Sequence, residues 1–271
     1  MTRTLARVLL CVALVISTVQ AQRKTLQVLF IGDSYIFVNS LPEVVSGIAA
    51  GLRDGPAIAS TMAATGGRPL GYHLANGPAM SLVADKPWDW VVLQEHSLLG
   101  GFMIDGEPRM APVSLFHQSA RDLVTHVREH KAMPLLMMTW ARREYPAQEP
   151  ILTNAYLDIG KELDVEVAAV GTAWEEVRAK ARAIDLFAKD GGHPSPAGTY
   201  LAACVIYSSI TGKSAKGAPA VIDGAPWSRE LQDVDRSQKV RLVELTRDEA
   251  AVLQDIAWRT VSAQPQPTAA R

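Results

Sequence analysis

Ser34, Asp190 and His193 are the residues of this 271-residue chain whose types and settings allow nucleophilic chemistry. Ser34 closes the run Leu26-Gln27-Val28-Leu29-Phe30-Ile31-Gly32-Asp33-Ser34, an apolar stretch of strand length that delivers a hydroxyl to the rim of a sheet. A serine hydroxyl is a weak nucleophile until a neighbouring base takes its proton. Asp190-Gly191-Gly192-His193 supplies the candidate base. Its two glycines let carboxylate and imidazole share one tight turn, in which the acid can hold the ring that deprotonates the serine. Pro194 biases His193 toward extended backbone, and Ser195-Pro196 opens a helix at once, which places the imidazole at a helix N-terminus. Each segment alone reads as an ordinary polar turn; together they point to acyl transfer.

Other segments imitate catalytic motifs. His126-Val127-Arg128-Glu129-His130 has the spacing of an inverted zinc-peptidase motif, but it ends the helix that feeds the fourth strand and so falls at the sheet edge opposite Ser34. Gly212-Lys213-Ser214 has Tyr207 where a phosphate loop requires its earlier glycine, and it ends a helix instead of starting one. His73 and His117 have helical contexts without clear partners and read as surface or core histidines. No metal and no organic cofactor is expected.

The elements that must position these residues alternate along the chain. Strands are predicted at Leu26 to Ile31, Ala57 to Ala64, Trp90 to Gln94, Pro134 to Thr139 and Val165 to Val170, several of them continuous apolar runs suited to burial on both faces. Between them, Leu41 to Arg53 follows a capping box formed by Ser40 and Glu43, with Pro42 in the first turn. Val113 to His130 carries Phe116, Ala120, Leu123, Val124 and Val127 at helical spacing, and a helix capped by Ser195 is closed by Gly212. The pattern predicts an α/β fold of three layers: a flavodoxin-like, five-stranded parallel sheet in the order 2-1-3-4-5 with helices on both faces, binding ligands at the carboxyl ends of its strands. After Gly212, Lys213 to Trp227 reads as a connecting loop. Ser228 to Leu245 and Glu249 to Val261 read as two amphipathic helices of the same domain, the second behind a capping box of Thr246 and Glu249.

The Gly-Asp-Ser block after the first strand and the distal Asp-x-x-His block resemble the first and last sequence blocks of the SGNH (GDSL) hydrolase superfamily, over Val28 to about Thr211. That resemblance implies Ser34 as nucleophile, His193 as general base and then acid, and Asp190 as the residue that orients His193. The α/β-hydrolases share this chain order but require Gly-x-Ser-x-Gly, and here Ile36 stands two residues after Ser34. The resemblance also implies a glycine N–H as oxyanion donor in the loop after the second strand, where Thr65-Gly66-Gly67-Arg68 stands; Gly67 is preferred over Gly66, and spacing does not separate them. The third block departs from the pattern. Where the superfamily has Gly-x-Asn-Asp, this chain reads Leu93-Gln94-Glu95-His96, as a less studied SGNH-like branch does, so Gln94 or His96 takes the place of the Asn donor or is a structural polar residue. Trp140, with Arg142 and Arg143 after the fourth strand, either stacks on a sugar or acyl group, with the arginines toward an anionic group, or caps the core. Tyr35 and Phe37 carry the same two readings.

Residues 1–21 read as an export signal, with Arg3 and Arg7 ahead of the apolar run Val8 to Ile16 and a cleavage site at Val19-Gln20-Ala21. The run is too short for a membrane span, which takes about 20 residues. Cleavage would leave an SGNH-hydrolase-like domain over 22–263, a disordered tail over 264–271, and Cys204 without an internal disulfide partner. Without Arg3 and Arg7, 25 of the 27 basic residues face 28 acidic ones, a balance that favours neither nucleic acid nor an anionic membrane. The SGNH resemblance, together with the export signal, implies an exported (periplasmic or extracellular) serine esterase acting on a small-molecule or carbohydrate ester, with O-acetyl or short-acyl esters of carbohydrates as the leading substrate class. A lipid or aryl esterase and a non-catalytic carbohydrate-binding or surface module on the same scaffold are the alternatives.

Overall fold

The computed structural model describes residues 23–265, so the expected export signal and residues 266–271 of the expected tail lie outside the described residues. Strand β1 (Thr25–Gly32) is the hub. It pairs in parallel with β2 (Ala57–Ala64) along its whole length, from Thr25 opposite Ala57 to Gly32 opposite Ala64, and on its other side with β3 (Trp90–Leu93). Strands β4 (Met133–Met137) and β5 (Glu166–Ala168) extend the sheet, which has the order β2-β1-β3-β4-β5 with every pair parallel. The chain is thus an α/β protein of the expected three-layer, flavodoxin-like kind.

The two-residue period of a strand sends neighbouring side chains to opposite faces, and both faces here are covered. Val28 and Phe30 point into a core shared with α1 (Leu41–Gly51), α4 (Val170–Lys180), α5 (Pro196–Thr211) and α6 (Arg247–Ser262). Leu29 and Ile31 point the other way, against α2 (Val113–Glu129) and α3 (Glu149–Leu163). Helix α5 is buried almost all round, which is why its sequence from Tyr200 to Tyr207 is nearly continuously apolar. Ser195 accepts the Gly198 N–H at its start, and Gly212 ends it in the left-handed conformation, as expected.

Two local expectations fail. The box of Ser40 and Glu43 does not form: Ser40 has φ 50° and makes no capping hydrogen bond, whereas a side-chain cap needs extended backbone at that position. Asn39, also left-handed, donates to Pro194 O at 3.0 Å and Thr199 Oγ1 at 2.9 Å, so the loop is shaped by its tie to the His193 segment instead of by the helix it precedes. The helix expected at Ser228 to Leu245 is replaced by strands. Val221–Gly224, inside the expected loop, pairs antiparallel with Val240–Glu244, and Trp227–Ser228 pairs with Asp233–Val234. Asp235 accepts hydrogen bonds from the Ser237 N–H and hydroxyl and from Gln238, local turn chemistry that competes with a helix. The final helix forms behind its predicted box: Thr246 Oγ1 accepts the Glu249 N–H at 3.2 Å, and Glu249 Oε2 accepts the Thr246 N–H at 2.9 Å. Among the described residues no helix is long and apolar enough to cross a membrane.

Candidate active site

Strand β1 ends at Gly32, and Asp33 caps the single helical turn Ser34–Phe37 by accepting the Tyr35 N–H at 2.9 Å. A side chain at Gly32 would collide with the Gln94 amide and Ile36, so this close approach demands glycine. The hydroxyl of Ser34 is thereby set at the carboxyl edge of the sheet, just past its interior strand β1.

The second half of the site is a turn held from several sides. Gly191 has φ +66°, which favours glycine, and Asp190 Oδ1 accepts the N–H groups of both Gly192 and His193 at 3.0 Å. Asp190 Oδ2 accepts a hydrogen bond from His193 Nδ1, and His193 Nε2 faces Ser34 Oγ at 2.8 Å. Partial burial works against ionising Asp190, but the imidazole and the two backbone donors outweigh it and hold the carboxyl down at about 2. An ionised Asp190 keeps the proton of a neutral His193 on Nδ1, leaving the Nε2 lone pair for the serine hydroxyl. Chain segments 159 residues apart thus meet in the geometry a nucleophile and its base require.

Trp140 is not at the ligand surface. It has no solvent exposure and stacks between Tyr35 (centroids 4.6 Å apart) and Trp174 (3.9 Å), and its Nε1–H donates to Gly192 O at 3.1 Å. Of the two readings of Trp140, the structure fits the core-capping one, and the residue supports the Asp190–His193 turn from beneath. Arg143 helps it: its N–H donates to Gly191 O, and its guanidinium is taken up by Asp185 at 2.7 and 2.9 Å. Replacing Trp140 by Phe keeps an aromatic stack but leaves the Gly192 carbonyl without its indole donor. The expected cost is about 1–2 kcal/mol of stability in urea unfolding; an unchanged midpoint would remove this hydrogen bond from the account.

The third block divides between Gln94 and His96 the two readings expected for it, a structural polar residue and a residue of the cleft. Gln94 is fully buried: Oε1 accepts the Asp33 N–H at 2.9 Å and Nε2 donates to Glu95 O at 2.6 Å. These bonds hold the Gly32–Asp33 turn, so of the two readings of Gln94 the structure fits the structural one. Glu95, also buried, accepts the His96 N–H at 2.6 Å and the Leu70 N–H at 3.1 Å, pinning the loop. His96 is the member that faces the cleft. Its Nδ1 accepts the Leu98 N–H at 3.2 Å, so the proton of the neutral ring sits on Nε2. Burial first, then the neighbouring Arg142 and His193, lowers its pKa and so disfavours the charged form of the ring.

Burial also raises the two carboxyls under the site, Asp33 to about 6 and Glu95 to about 8, against the backbone N–H groups they accept. Unfolded Asp and Glu titrate near 3.9 and 4.3. The folded chain therefore holds these protons to higher pH, so their contribution to stability is complete below about pH 4 and is lost as the pH rises through about 6 and about 8. The urea midpoint is expected to be lower at about pH 8.5 than at about pH 5.5, and Glu95→Gln should narrow the difference. Equal midpoints for the native chain at the two pH values would contradict this.

Ser34, His193, His96, Gly66 and Gly67 open onto one cleft of about 870 Å³. Gly67 has φ +66°, and the space beside its Cα is empty. The far wall comes from the region expected to be loop and helix: Trp227, stacked on Phe37 at 4.1 Å, with Arg229, Arg241 and Leu242. These residues were missed because their elements were misassigned; the Asp, Gly and Ser turn formers between 223 and 237 were the available signal. The histidines of the zinc-like motif lie at the end of α2, where His130 Nδ1 contacts His126 O at 2.9 Å. His117 Nε2 meets Ala155 O at 2.8 Å and so links α2 to α3, while the buried His73 Nε2 meets Gly32 O at 2.9 Å beneath the site.

No known family and no curated protein matches the sequence. Solved structures do match the fold. A DUF4886 family protein from Bacteroides uniformis aligns with a TM-score of 0.62 at 19% identity, covering 89% of this chain and 96% of its own. The acetylxylan esterase Axe2 from Geobacillus stearothermophilus aligns at 0.56 and 18% identity, and a lipase/acylhydrolase from Enterococcus faecalis at 0.54 and 18%, each covering 69% of this chain and 95% of its own. The chain thus shares its fold with a DUF4886 family protein and with proteins named as an acetylxylan esterase and a lipase/acylhydrolase.

Proposed function

We propose that the protein is an exported SGNH-type serine esterase that hydrolyses carboxylic esters through an acyl-enzyme, with O-acetyl or short-acyl esters of carbohydrates as its substrates. The observation that carries the reading is the contact of His193 Nε2 with Ser34 Oγ at 2.8 Å while Asp190 occupies the other ring nitrogen. The acetylxylan esterase and lipase/acylhydrolase among the proteins of the same fold support an ester substrate, and the aromatic pair Phe37 and Trp227 in the cleft suits a sugar face. Export rests on the basic and apolar pattern of residues 1–21.

In this mechanism Ser34 Oγ attacks the ester carbonyl while His193 Nε2 takes its proton. The negative oxygen of the tetrahedral intermediate is met by the N–H groups of Ser34 and Gly67 and by His96 Nε2–H. Collapse breaks the bond to the alcohol, which leaves with the proton from His193. Water, deprotonated by the same nitrogen, then attacks the acyl-serine and releases the carboxylic acid and free Ser34.

The purified protein is expected to hydrolyse p-nitrophenyl acetate and to lose that activity when a fluorophosphonate is added, with the mass increase confined to the peptide carrying Ser34. A folded protein that neither hydrolyses the ester nor takes up the phosphonate would be a binding module on this scaffold.

A further inference from the structure

The charged side chains around the cleft are unevenly matched. Arg142, Arg229 and Arg241 all line it, and the carboxylate among the lining residues, Asp33, is buried beneath Ser34. Arg241 is neutralised by Asp223 at 2.6 Å and Glu244 at 3.1 Å. Arg142 and Arg229 have no carboxylate partner among the described residues, and the bond recorded for the Arg142 side chain is Nη2 donating to Asp190 O at 3.2 Å. In contrast, Arg143, beside Arg142 in sequence but absent from the cleft lining, is paired with Asp185. An unpaired guanidinium in a concave site is a ready partner for a planar anion, which it can hold through two parallel N–H bonds.

The position of Arg142 indicates which part of an ester would carry that anion. Its guanidinium packs on Gly192, in the turn that presents His193, and its charge acts on His96. His193 Nε2 must hand its proton to the departing alcohol, so the alcohol part of the substrate lies on the His193 side of the cleft. From this arrangement we infer that the preferred substrates are esters whose alcohol part bears a carboxylate, bound between Arg142 and Arg229. The inference rests on the serine-esterase reading and specifies its substrate class. Acetyl transfer to Ser34 and release of the carboxylate-bearing alcohol proceed as above, with no further reactant.

The test compares para-acetoxybenzoate with its uncharged methyl ester, and reads the ratio of their kcat/KM values so that any general loss of catalysis cancels. Arg229→Gln and Arg142→Gln are each expected to lower the ratio of charged to neutral ester about tenfold, the scale of one lost charge-assisted hydrogen bond. Arg229→Lys should recover part of the loss, and the native ratio should fall as NaCl is raised from about 20 mM to about 500 mM. A ratio within about twofold of the native value in both glutamine variants, with the neutral ester still hydrolysed, would overturn this inference and leave the esterase reading standing. Hydrolysis of neither ester by the native protein, with no labelling by the fluorophosphonate, would remove both.

Discussion

Ser34→Ala is expected to lower kcat for p-nitrophenyl acetate by about 10³-fold or more while leaving the free energy of urea unfolding within about 0.5 kcal/mol of the native value. In the proposed mechanism the hydroxyl supplies the attacking atom, so its loss would remove the acyl-enzyme route and leave the slower attack of water helped by the remaining oxyanion donors. Stability should change little because Ser34 is only half-buried, at the edge of the sheet. His193→Ala should cause a loss of the same order for a different reason: with no Nε2 to take the proton at 2.8 Å, Ser34 stays a neutral, poor nucleophile. The two losses should not add in the double variant, since both disable one step. Near-native turnover in either folded single variant would remove the triad from the mechanism.

His96→Ala carries the second large effect. Nδ1 accepts the Leu98 N–H and burial disfavours the charged ring, so in the proposed mechanism Nε2–H of this cleft-lining residue is the oxyanion donor. A donor of this kind acts mainly on the charge present in the transition state, so its removal should lower kcat by about 10²- to 10³-fold, about 2.7–4 kcal/mol, with little change in KM. Gln94→Ala is the control that separates the two members of the block. It strips the Asp33 N–H of its buried acceptor, so it should cost about 1–3 kcal/mol of stability, with any kinetic loss following from displacement of Ser34. If His96→Ala keeps native kcat, the oxyanion site consists of backbone donors alone.

How far such outcomes can be read without the fold depends on the range over which each residue is decided. The run from Val28 to Ile31, the periodic apolar face of Val113 to Glu129, and the Thr246 and Glu249 box are local patterns; backbone geometry and side-chain periodicity dictate them within a few residues, and the sequence by itself predicted all three. The pairing of Gly-Asp-Ser with Asp-x-x-His was legible through the resemblance of the two blocks to the SGNH superfamily, since each segment alone is an ordinary turn.

The tertiary structure decided what depends on partners distant in the chain. Gln94 and His96 are two residues apart with similar polar potential, and Gln94 is held inward by the Asp33 N–H, 61 positions away, as well as by Glu95 O, while His96 faces the cleft. Trp140 is committed to the core by Tyr35, Trp174 and the Gly192 carbonyl, none of them its sequence neighbours. Ser40 loses its capping role because Asn39 is tied to Pro194 and Thr199. The segment from Lys213 to Leu245 becomes paired strands because Val221–Gly224 and Val240–Glu244 satisfy each other's backbone groups and bury Ile222 and Val243 against the domain. A helical pattern in one segment contains no record of that pairing, since a strand's hydrogen bonds belong to its partner while a helix's belong to itself.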